Sequence, residues 1–156
     1  MSLSACIRRA ALGALVILIA GTAGAVADDK GTIKYRKAVM RAIGGHMAAM
    51  ATIVKGEGGS LSHLSGHATA LAHLAKISQH LFPQTTSAAA GDTRALDQIW
   101  DNPREFKAVQ EVFTAESEKL AKVAEGGDPR AIGAQLGVLG KNACKSCHTH
   151  FRKESE

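Results

Sequence analysis

Gly126-Gly-Asp-Pro-Arg-Ala-Ile-Gly-Ala-Gln-Leu-Gly-Val-Leu-Gly-Lys-Asn-Ala-Cys-Lys-Ser-Cys-His148 is the stretch on which the reading of this 156-residue chain turns. The glycine pair ends one helix, Asp128 is a cap, and Pro129 suits the first position of the next helix. Ile132, Leu136, Leu139, Ala143 and Cys147 then recur every three or four residues, which predicts a helix with one apolar stripe. On that helix Cys144 and Cys147 stand i, i+3 and His148 stands i, i+4 from Cys144, so all three project from one face. C-x-x-C-H is the attachment motif of a c-type haem: two thiols form thioethers and a neutral imidazole is the proximal iron ligand. One covalent haem c is therefore expected, held by Cys144 and Cys147, with His148 on the iron. A bare C-x-x-C also serves thioredoxin-like redox pairs and half zinc sites, but the first needs a βαβ context and the second a further Cys or His pair. A haem-free thiol-redox or metal-binding module is the remote alternative.

Outward from that helix, the remaining apolar residues fall into three more helical segments. Between Thr32 and Lys55, the residues Ile33, Met40, Ile43, Met47, Met50 and Val54 follow the helical step, with Arg36 in the missing place. Gly56-Glu57-Gly58-Gly59 ends this segment, and Ser60 offers a cap for a second carrying Leu61, Leu64, Ala68, Leu71, Ala75 and Leu81 or Phe82. Pro83 stops it. Asn102-Pro103-Arg104-Glu105 then supplies a cap, a first-turn proline and a carboxylate for a third helix reaching about Glu125. No period-2 segment competes, and the gaps after helices one and three are short. The expected fold is all-α: an antiparallel, up-down-up-down four-helix bundle with haem on its C-terminal helix. The connection from Pro83 to Asp101 is long for a bundle. It reads either as a crossover packed down by Ile99 and Trp100 or as a loop shielding a haem edge.

At the other end, Arg8 and Arg9 precede an apolar run and the small residues Ala25-Val26-Ala27, the pattern of a cleaved export signal. Residues 1–27 are read as that signal and 28–156 as one domain. The mature protein is expected in the periplasm, without stable membrane insertion. The net charge of +5 includes Arg8 and Arg9, and what remains is too mild to suggest nucleic acid. Cys6 leaves with the signal, so only the two haem cysteines remain.

Eight residues follow His148 and none is methionine, so any sixth iron ligand comes from upstream. Tyr35-Arg36 with Met40 four after the arginine, Val54-Lys55-Gly56-Glu57, Leu81-Phe82-Pro83, Ile99-Trp100 and the pentad with Arg152 four after its histidine together resemble the class II c-type cytochromes. These are cytochrome c-prime and its low-spin, methionine-ligated relatives. The resemblance implies that Arg36 and Met40 meet the distal haem face or the propionates, and that members are often dimers through their first two helices. It leaves two roles for Met40. As a sixth ligand it implies a low-spin electron carrier that serves redox partner proteins and performs no catalysis, which is the reading adopted from the sequence. As a non-ligating wall it implies five-coordinate iron that binds nitric oxide or carbon monoxide.

Met47 and Met50 have core spacing and read as packing. His63 and His67 are i, i+4 and could clamp a metal, but the sequence offers no third ligand, and His46 falls off the apolar stripe. Arg152 could pair with a propionate or tune the iron through His148; it is also a favourable cation near a helix C-terminus. With Lys141, Lys145 and Lys153 it makes a basic surround suited to an acidic redox partner.

Overall fold

A computed structural model describes residues 28–154. The expected export signal, residues 1–27, lies outside them. Helix α1, Asp29–Val54, begins where the Asp28 side chain accepts the Gly31 N–H, and it buries Ile33, Arg36, Val39, Ile43, Met50 and Ile53. Ser60 caps the next segment as expected, but a single 3₁₀ turn, Leu61–His63, precedes α2, Leu64–Ser78. That helix ends short of the expected Leu81 or Phe82. The Ser78 hydroxyl donates to the Ala75 carbonyl at 2.7 Å, and Leu81 is buried just beyond the helix rather than on it.

The long connection contains one short helix, α3, Gln98–Asp101, with Ile99 buried. Asn102 then ends α3 and starts α4, Pro103–Glu125: its N–H donates to the Gln98 carbonyl and its own carbonyl accepts from Phe106. Its side chain forms no capping bond, so the expected cap does not form, although Pro103 does occupy the first turn. Gly127, at φ +70°, turns the chain, and Asp128 Oδ1 accepts the Arg130 N–H at 2.9 Å to open α5, Pro129–Leu139. The fourth helix is not continuous. A π turn, Gly140–Lys145, separates α5 from α6, Ser146–Phe151.

Helix α1 packs against α2, α2 against α4, α4 against α5, and α5 back against α1, which closes the four-helix bundle. Met50, Leu64, Leu71, Leu120, Ile132 and Leu139 are fully buried at its centre. Burial of each such side chain is worth about 1.5–3 kcal/mol. Gly133 lets α5 approach α1 closely, since a Cβ there would lie 2.6 Å from Val54 Cγ1. A second, smaller cluster gathers Ala95, Ile99, Phe106 and Phe151, with Phe106 edge-on to Phe82 and Phe151. The chain end is stitched to the long connection there: Leu96 N–H donates to the Phe151 carbonyl, and Lys153 N–H to the Arg94 carbonyl at 2.8 Å. Between the two clusters the bundle is open.

Candidate haem-binding site

That opening is a cavity of about 750 Å³. Helix α1 contributes Arg36, Met40, Ile43, Gly44 and Met47; α4 contributes Phe106, Val109 and Phe113; the long connection contributes Thr93, Arg94 and Ala95. The opposite wall is Ala143, Cys144, Cys147, His148 and Arg152. All six residues singled out as haem contacts in the sequence thus line one space. Cys144 sits in the π turn, whereas Cys147 and His148 belong to α6. The wider turn changes the angular step between the cysteines from that of an uninterrupted α-helix, and π turns are often found at functional sites.

The chemistry of this wall suits covalent haem c. Cys144 and Cys147 are both half-buried and form no disulfide with each other. Burial raises the pKa of both; Cys147 is pushed up to about 11 by burial and by Cys144, against the pull of Arg152. His148 is pushed the other way by burial, then by Arg152 and Arg94, which keeps the imidazole in its neutral, ligating form. The facing wall is mostly apolar and the space is of cofactor size.

Arg36 is buried on α1, and its guanidinium is directed largely into the protein. Nη1 donates to Thr86 Oγ1 at 2.9 Å and to the Leu81 carbonyl at 3.3 Å; Nη2 donates to the Thr86 carbonyl and to Thr93 Oγ1, each at 2.9 Å. Its charge centre lies 4.9 Å from the centroid of the Phe82 ring. Arg36 therefore clamps the long connection to α1 at the cavity wall. Thr86 and Thr93, both buried, were not identifiable from the sequence because the connection has no periodicity to mark them. Indole N–H of Trp100 donates to the Phe82 and Pro83 carbonyls, fastening the far end of the same connection.

Met40 is half-buried on the cavity wall. Met47 also lines the cavity, whereas Met50 is wholly buried in the larger cluster. His46, His63 and His67 lie away from the cavity lining. Exposed His150 instead places Nδ1 2.9 Å from the Ser146 carbonyl. Among the described residues no three His, Cys, Asp or Glu side chains are assembled as a metal site. None of the described helices is long and apolar enough to cross a membrane.

A family profile described as cytochrome c′ matches residues 31–152. A cytochrome c′ from Rhodospirillum rubrum is 32% identical over 143 residues, covering 92% of this chain and 96% of that protein. One from Pararhodospirillum photometricum is 36% identical over 128 residues, covering 81% of this chain and all of that protein. Among solved structures, a ferrous variant of cytochrome c prime from Alcaligenes xylosoxidans with bound NO superposes with a TM-score of 0.74 at 25% identity, covering 83% of this chain and 98% of that one.

Proposed function

The chain belongs to the cytochrome c′ family, and on that premise we propose that it is a periplasmic monohaem c-type cytochrome whose iron leaves one axial position for a diatomic gas. Nitric oxide and carbon monoxide are the ligands of the right size and chemistry. Haem c supplies the redox-active iron at which such a ligand binds. The thioethers of Cys144 and Cys147 would hold the group against α6, and His148 would be the proximal ligand. Arg94 and Arg152, the cations beside His148, favour its neutral form. Ile43 and Phe113 line the cavity across from the pentad, and Met40 would contribute to that apolar wall rather than hold the iron. The periplasmic location rests on the signal pattern of residues 8–27.

The observation that carries this reading is the cofactor-sized cavity between the pentad and the mostly apolar α1 and α4 walls. The matches to cytochromes c′, one of them solved with bound NO, support it over the low-spin carrier expected from Met40 ligation. The visible spectrum of the purified protein tests it. A high-spin spectrum is expected in both oxidation states, with the reduced band moving on addition of carbon monoxide. A low-spin spectrum with a Met–Fe charge-transfer band that disappears in Met40→Ala would overturn it.

A further inference from the structure

Helix α1 brings a third histidine to the pair that the sequence left without a partner. His46, half-buried, faces His67 of α2 with Nδ1 2.8 Å from Nδ1, and the two rings meet at 63° with centroids 5.1 Å apart. His63 stands one turn before His67 in the chain and is exposed. We propose that His46 and His67, with His63 swinging in as a third ligand, form a binding site for a divalent zinc or copper ion at the α1–α2 seam, separate from the haem cavity.

Two nitrogens at 2.8 Å can share only one hydrogen, so one Nδ1 donates and the other offers its lone pair. Where both imidazoles are neutral, only a change of tautomer separates this pair from a ligating one. If the donor ring moves its hydrogen to Nε2, both Nδ1 lone pairs point into the same space, and no proton is lost to solvent in that step. Neutral imidazole is the form that zinc and copper bind. With zinc–nitrogen bonds of about 2.0–2.1 Å, two tetrahedral ligands stand roughly 3.3 Å apart. The pair therefore has to open by about half an ångström, within reach of small side-chain rotations. The proton affinity of His67 is lowered by burial and then by His46 and His63, which puts all three imidazoles in one neighbourhood. The three are not already gathered around one point. Exposed His63 is the ligand free to move, and water completes the shell.

Titration of the purified haem protein with zinc chloride, followed by calorimetry, tests the proposal. One saturable site per chain is expected. His46→Gln and His67→Gln should each weaken binding at least tenfold and His63→Gln several-fold, with the visible spectrum of the haem unchanged as the check on folding. His73→Gln and His80→Gln should bind as the unaltered protein does. Zinc should also raise the unfolding temperature, and the His46 and His67 variants should lose that rise. Absence of saturable binding, or affinity shared equally by all five variants, would overturn the site.

Discussion

On one helix, α1, Met50 is wholly buried with Leu64, Leu71 and Leu120, while Met40 is only half-buried beside a cavity of about 750 Å³. Both methionines sit on the same apolar stripe, so periodicity does not separate them. What faces them does. Met50 shares its cluster with leucines and isoleucines, whereas the cavity is bounded by Gly44, Gly140 and Ala143. A Cβ added at Gly44 would meet nothing within 4 Å, and one at Gly140 would find only Met47 Cε, at 4.0 Å. The space for a cofactor is thus created by small residues on facing helices rather than by a lack of apolar ones.

This contrast can be broken most completely from the cavity side. Replacing Cys144 and Cys147 together by alanine should abolish covalent attachment, read as haem staining that no longer survives a denaturing gel. In the dense half, Leu71→Ala should cost about 2–5 kcal/mol in denaturant unfolding, because the closed interior cannot collapse around the missing side chain. Met40→Leu should change stability by less than about 1.5 kcal/mol, since it keeps volume on a wall with room beside it. Equal losses at the two positions would remove the distinction. At the cavity wall, Arg36→Lys should cost about 1–3 kcal/mol, because one ammonium cannot replace the guanidinium fork that satisfies Thr86 and Thr93.

The smallest expected effect is on the outer seam between α1 and α2. The folded protein lowers the proton affinity of His67 from its usual 6.5, chiefly by burial, so below that pH the unfolded chain binds more protons than the folded one. Stability is retained above about pH 6.5 and declines on acidification below it. Unfolding temperatures measured without added metal at pH 7.5 and 5.5 should show the decline, and His67→Gln should reduce it.

Much of this was readable from residue order. The long helices were announced by Asp128-Pro129, by Pro103 and by stripes such as Ile132, Leu136, Leu139 and Ala143, because caps and periodicity are local. The pentad fixed the haem chemistry for the same reason. The four donations of Arg36 were not readable, since their partners lie 45 to 57 residues away in a segment without a repeat. Nor was the facing of His46 and His67, which depends on how two helices rotate against each other. The π turn was hidden as well: Gly140-Lys141-Asn142 carries no local signal that separates it from α-helix.

That turn bears on which length changes the chain can absorb. A residue added or removed in the exposed parts of the connection between Pro83 and Asp92 alters only the slack between its anchors. Removing one residue from 140–142 would let the π turn tighten to α-helix and leave Cys147 and His148 near their places, whereas adding one there would turn everything after it by about 100° around the helix axis and take the pentad off the cavity wall and Phe151 out of its cluster. The turn is thus the place where the chain takes up one residue more than an α-helix would need, and a deletion there is tolerated where an insertion is not.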